Sequence, residues 1–110
     1  MIQPRRLQRA GVLALEGELV MGPALTLFNQ EARAMLAAPA PQLLVLDLAL
    51  VHRVDSAGLG ELIMLHSLAS SRNVKIAIAS PPRRVIDMLT TTRVDGIFPC
   101  FPDVQAALDA

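Results

Sequence analysis

With 110 residues, 53% of them hydrophobic and 18% charged, the chain has material for one domain with one core, expected over residues 1–110 without a second lobe. Ten basic residues balance ten acidic ones, and three Phe stand without any Trp or Tyr; the sequence therefore promises no broad field for nucleic acid or an anionic membrane, and little to stack on bases. A lone cysteine, Cys100, excludes a disulfide framework, and neither the opening Met1-Ile2-Gln3-Pro4-Arg5-Arg6 nor any later run resembles a leader or the roughly 18 apolar residues of a membrane span, so a cytoplasmic location is expected.

In chain order, Leu7 to Glu18 reads as two short strands turning near Ala10-Gly11, with Val12 to Leu15 the stronger half. Gly22-Pro23 opens a helix, since proline suits the first helical turn, and Leu25, Phe28, Ala32, Met35 and Leu36 recur at helical spacing until Pro39 and Pro41 stop it. Leu43 to Leu48 is a continuous apolar run of strand length, of the kind covered on both faces. A turn over Val51 to Asp55 leads into a helix from Ser56 to about Ser70, whose Leu59, Leu62, Ile63, His66 and Ala69 share a face that Leu65 and Leu68 widen.

Asn73 turns the chain into a β-branched strand, Val74 to Ala79. Ser80-Pro81 reads as an N-cap followed by a first-turn proline, with Val85, Ile86 and Leu89 as the buried stripe of the helix behind it. A last strand, Ile97 to Phe101, precedes a short helix around Pro102 to Leu108. The order ββαβαβαβα predicts an α/β fold: a mixed sheet of about five strands, the later ones parallel, with about four helices packed on it. Ligands of such sheets meet the carboxyl ends of the strands, where Asp55-Ser56 falls.

Signatures of catalysis and of cofactors are missing. No Gly-x-x-x-x-Gly-Lys-Ser/Thr phosphate loop occurs, and Gly58-Leu59-Gly60 lacks the third glycine of a dinucleotide fingerprint. His52 and His66 stand fourteen apart without partners at metal spacing, and Val54 occupies the place where a nucleophile elbow before Ser56 needs glycine. His66 reads as a packed or rim histidine and Cys100 as a small buried hydrophobe. The expectation is a domain that is not an enzyme, holds no cofactor or metal, and works by binding other proteins.

The segment that stands out is Asp55-Ser56-Ala57-Gly58-Leu59-Gly60. One reading is purely structural: Asp55 or Ser56 caps a helix and the small residues allow a tight turn. The other is functional, because a serine at an exposed helix N-terminus is a well-placed phosphoacceptor, with free backbone N–H groups and the positive end of the helix dipole beside it.

Leu46-Asp47-Leu48 followed by Val54-Asp55-Ser56-Ala57-Gly58-Leu59-Gly60 resembles the signature of the STAS domain, the fold of bacterial anti-sigma factor antagonists. Gly17-Glu18-Leu19, Val85-Ile86-Asp87-Met88-Leu89 with Thr92-Arg93-Val94, and Phe98 to Asp103 with Ala107-Leu108 extend the resemblance over nearly the whole chain. Two departures are visible: Val20-Met21-Gly22 is short and uncharged where the antagonists usually carry Asp and a longer loop, and Ala57 leaves Ser56 as the only hydroxyl of the motif.

The resemblance implies a partner-switching module of signal transduction and transcription regulation. Ser56 would accept phosphate from an anti-sigma factor that doubles as a serine kinase, the unphosphorylated form would bind that protein and release its client, and a phosphatase would reset the switch. The implied contact residues are Asp55, Ser56, Ala57, Gly58, Leu59 and Gly60. A runner-up rests on small STAS proteins carrying Arg-Val-Asp-Thr-Ala-Gly-Leu, close to Arg53 to Leu59 here: an accessory subunit of an ABC-type phospholipid transporter, bound to its ATPase constitutively. A scaffold element of a sensory complex is a third reading. No direct nucleic-acid contact or membrane insertion is expected, and self-association is left open.

Overall fold

The computed structural model describes residues 2–7, 9–37, 39–94 and 96–110. Its elements follow the expected order: β1 (Ile2–Arg6), β2 (Ala10–Leu19), α1 (Pro23–Leu36), β3 (Leu43–Val54), α2 (Ser56–Ser71), β4 (Lys75–Ala79), α3 (Arg83–Thr91), β5 (Cys100–Phe101) and α4 (Val104–Asp109). The sheet runs β1-β2-β3-β4-β5 in sequence order. β1 pairs antiparallel with β2, and every later pair is parallel.

One face of the sheet carries the main core. Leu13, Leu15 and Leu19 of β2 and Leu44, Leu46, Leu48 and Val51 of β3 meet the apolar stripes of α1, α2 and α3. The expected α1 stripe, Leu25 to Leu36, is the buried one. A second, smaller cluster joins Val12, Val45, Ala77 and Ala79 on the strands with Ala107 of α4. β3 and β4 are thus covered on both sides, which explains their unbroken hydrophobic runs.

Two arginines seal the end of α1, where the last carbonyls of a helix lack intrahelical partners. Arg6 donates to the carbonyls of Ala34 and Pro39. Arg72, from the end of α2, donates to Leu36 O at 2.8 Å. One exposed helix end is thereby tied to two other elements.

Several boundaries differ from the sequence reading, each for a local reason. The first strand lies before Leu7 and the second starts at Ala10, so the chain does not turn near Ala10-Gly11, and Leu7 N donates to Ala10 O at 2.7 Å. Gly11 belongs inside β2, where its missing side chain makes room for the end of Met35. β3 continues to Val54 instead of turning from Val51, because β2 pairs with it along that whole length through two register shifts. At the first shift Asp47 Oδ1 accepts from Ala49 N and holds the irregular backbone. The buried side of α2 is Gly58, Leu62, Leu65 and Ala69, while Ile63 is exposed and His66 half-buried with its ring edge against Phe98.

Ser80-Pro81 does not cap α3. Ser80 takes a left-handed φ of 54° and donates its hydroxyl to Pro102 O, and Pro82 becomes the N-cap with no side-chain bond. Ile86 is exposed, leaving Val85 and Leu89 as the α3 stripe. The last strand is Cys100–Phe101 rather than Ile97–Phe101, and Cys100 is exposed on it rather than buried.

Candidate functional site

The site is built where β3 hands over to α2. β3 ends at Val54, and Asp55 turns extended (φ −92°, ψ −176°) to become the N-cap of α2. Its carboxylate grips two elements at once: Oδ1 accepts from Gly58 N at 2.8 Å, and Oδ2 accepts from Met21 N at 3.1 Å in the β2–α1 connection. Its own N–H donates to Leu19 O at the end of β2. Aspartate, rather than the serine beside it, is therefore the cap, and it fastens the start of α2 to the start of α1. The Gly58 N–H first, and the Met21 N–H next, hold the Asp55 carboxyl below the ordinary carboxylate range.

Gly58 is buried against the same strand. A Cβ there would collide with the carbonyl oxygen of Leu19 and press on Val54 Cγ1. Helix α2 can lie this close to β2 only with glycine at that position. Leu59 and Ala57 are half-buried against the main core. Gly60, two residues on from Gly58, has open space where its side chain would be. The six motif residues thus divide: Asp55, Gly58, Ala57 and Leu59 set the turn, and Ser56 and Gly60 look outward.

Ser56 is the first residue of α2 and is exposed, its hydroxyl without a hydrogen bond among the described residues. Arg53, two residues before the cap, pairs with Glu18 at 3.6 Å, both side chains being largely in solvent. Beyond Ser56 the outward side of α2 follows helical spacing through Gly60, Ile63, Met64, Ser67 and Ser71. No charged residue stands in that row. Met64 is 58% exposed, and Met21, held by Asp55, is 79% exposed next to the same turn. Glu61, the one carboxylate of α2, is turned aside into the α1–α2 groove, where it accepts from Asn29 Nδ2 at 2.7 Å.

The sequence points to the Ser56 turn, the exposed side of the Gly58 to Ser70 helix and the neighbouring loops as the contact surface, without naming Met21, Met64 or Ser67 and with Ile63 on the inward face; the structure places all four outward. A signal was present. The sixteen residues of α2 contain one carboxylate and one histidine and are otherwise apolar or small, whereas a helix with an ordinary solvent face alternates apolar and charged stripes. Among the described residues no three metal-capable side chains gather, and no helix is long and apolar enough to cross a membrane.

No curated protein sequence matches the chain at a significant level. Solved structures do. A Thermotoga maritima protein proposed to be an anti-sigma factor antagonist aligns at 21% identity over 98% of this chain and 92% of that one, with a TM-score of 0.88. The anti-sigma factor antagonist SpoIIAA in its unphosphorylated form aligns at 18% identity over 99% and 96%, with a TM-score of 0.73. The STAS domain of a SulP transporter from Vibrio cholerae aligns at 23% identity over 94% and 81%, with a TM-score of 0.79. At these identities the likeness establishes the fold, which serves free-standing antagonists and transporter-borne domains alike. The family model of the STAS domain matches residues 1–107, and the chain belongs to that family.

Proposed function

We propose that the chain is an anti-sigma factor antagonist, a protein-binding module of the cytoplasm that catalyses nothing and is switched by phosphorylation of Ser56. The observation that carries this reading is the exposed Ser56 hydroxyl at the head of an uncharged outward row on α2. A helix that is apolar or small on every side is normally covered, and the described chain covers only one side. The partner, an anti-sigma factor with serine kinase activity, closes over Ser56, Gly60, Ile63 and Met64, with Met21 at the margin, and a phosphatase restores the unphosphorylated form.

The turn offers a phosphate little compensation. The Gly58 N–H that would otherwise face it already serves Asp55, and Arg53 is engaged by Glu18. A phosphoserine brings roughly 1.5 to 2 negative charges beside the Asp55 carboxylate. The free domain keeps that charge in water at slight cost, whereas a partner has to desolvate it. An uncompensated buried charge costs several kcal/mol, which is about two or more orders of magnitude in affinity.

The test is the affinity of the purified partner for wild type, Ser56→Ala and Ser56→Asp, with circular dichroism as the folding control. Tight binding by wild type and Ser56→Ala, and a loss of at least about tenfold for Ser56→Asp, is expected. Equal affinity for all three removes the switch. It would leave the second reading, a constitutively bound subunit of an ABC-type phospholipid transporter, which rests on the resemblance of Arg53 to Leu59 to the Arg-Val-Asp-Thr-Ala-Gly-Leu of such subunits.

A further inference from the structure

The balanced charge conceals a segregated one. The parallel strands β2, β3 and β4 begin, and α1, α2 and α3 finish, at the pole opposite Ser56. Arg6, Arg9, Arg33, Arg72, Lys75 and Arg93 all fall there, and all are exposed. Backbone bonds stitch part of this set into one row: Gln42 N donates to Arg9 O, and Lys75 N donates to Gln42 O. Arg6 and Arg72 converge on the last carbonyls of α1, where the negative end of the helix, about half a charge, offsets part of their two charges and leaves the rest to add to that row.

Acidic residues gather elsewhere. Glu16, Glu18, Asp55, Glu61 and Asp103 lie toward the Ser56 pole, and the two ion pairs among the described residues, Arg53–Glu18 and Arg83–Asp87, leave the six cations untouched. Two described carboxylates fall toward the same pole, Glu31 in the second half of α1 and Asp109 at the end of α4, and neither forms an ion pair with the six cations, which still outnumber them three to one. A second feature sits among the cations. Leu7, directly after β1 and between Arg6 and Arg9 in the chain, is 42% exposed.

We propose that this pole is a docking surface for an anionic lipid headgroup layer, the cations meeting the headgroups and Leu7 entering the interface between them. A group of four to eight cations with an apolar residue in its midst matches such a surface, each cation adding a comparable increment near it. Nucleic acid fits less well, because no aromatic residue at this pole could stack on bases. The 16 residues of α2 separate the two poles by about 24 Å, so lipid and the Ser56 partner are bound at once. This inference does not depend on Ser56 being phosphorylated.

The experiment is co-sedimentation of the full chain with phosphatidylcholine vesicles, with and without a phosphatidylglycerol fraction. Three variants accompany wild type: Arg9→Gln/Lys75→Gln at the proposed pole, Arg53→Gln/Arg84→Gln at the other, and Leu7→Ser. All five positions are exposed, and circular dichroism checks each fold. Binding is expected only with phosphatidylglycerol, falling with salt. It should drop roughly fivefold per cation removed at the proposed pole and stay unchanged for the Arg53/Arg84 variant. Leu7→Ser should weaken it while preserving the salt dependence. Equal binding to both vesicle types, no binding to either, equal losses for the two paired variants, or full displacement from vesicles by a short RNA would each overturn the proposal.

Discussion

Helices α2 and α3 invite comparison because they begin alike. Each follows a parallel strand at its carboxyl end, and each is preceded by or begins with a serine. α3 starts without a side-chain cap, from Pro82. It buries Val85 and Leu89 and shows solvent Arg83, Arg84 and Asp87, two of which pair across one turn. It is an ordinary covering helix. α2 is capped by a carboxylate that also grips Met21, is pressed onto β2 through Gly58, and shows solvent almost no charge. Local order has been concentrated at one of two equivalent junctions, and charge has been withheld from the same one. The cap and the close packing serve stability, but the missing charge does not, and a partner-binding face on α2 is the reading proposed for it.

The comparison breaks most visibly at Gly58. Valine there must push its side chain into the Leu19 carbonyl, a backbone atom that cannot step aside. Forced overpacking typically costs about 1–3 kcal/mol, and a clash with backbone belongs at the upper end of that range. Ser56→Ala, at an exposed site without hydrogen bonds, should stay within about 0.5 kcal/mol of wild type. Urea midpoints of the two variants give the order, and a Ser56 variant less stable than Gly58→Val would refute this account of the turn.

Asp55→Asn separates the clamp from mere shape. A carboxyl whose folded pKa is depressed contributes stability that is complete above its unfolded pKa and is lost as pH falls through the folded one. Wild type should therefore exceed Asp55→Asn in stability at neutral pH, and the gap should narrow on acidification below the ordinary aspartate range, near pH 4. Denaturation midpoints across that range measure it. The matching change on α3, Ser80→Ala, removes no cap and should show no such pH-dependent gap.

A smaller and opposite effect is expected at Gly60. Open space surrounds it and its backbone is helical, so Gly60→Ala should raise stability by about 0.5–1 kcal/mol, the usual helical penalty of glycine. If the outward row of α2 meets a partner closely, the same change should weaken binding. A fall in stability would show that Gly60 serves the fold instead.

Much of this was legible in the residues, and the gaps have physical causes. The α1 stripe was readable because its polar positions are clearly polar, so only one phase of the helix fits. In α2 nearly every residue is apolar or small, and periodicity could not fix which side faces the sheet; Ile63 and His66 were assigned inward for that reason. The hairpin turn was misplaced because Gly11 looked like a turn glycine when it makes room for Met35. Ser80-Pro81 carried a valid capping pattern that a tertiary bond to Pro102 overrode. Asp55, by contrast, was among the residues picked out, and its grip on Met21, 34 positions away, is a contact that no local rule contains. Net charge was read as a sum, and a sum is blind to where the strands and helices leave each charge.

In the proposed function α2, unlike α3, presents a binding face governed by Ser56. The most direct measurement compares one exposed apolar residue on each helix. Met64 on α2 and Ile86 on α3 are 58% and 41% exposed, so lysine at either should leave the fold intact. Affinity for the purified partner should fall at least about tenfold for Met64→Lys, as for Ser56→Asp, and remain at the wild-type value for Ile86→Lys. Equal losses at the two positions, or a loss at Ile86 alone, would contradict the account.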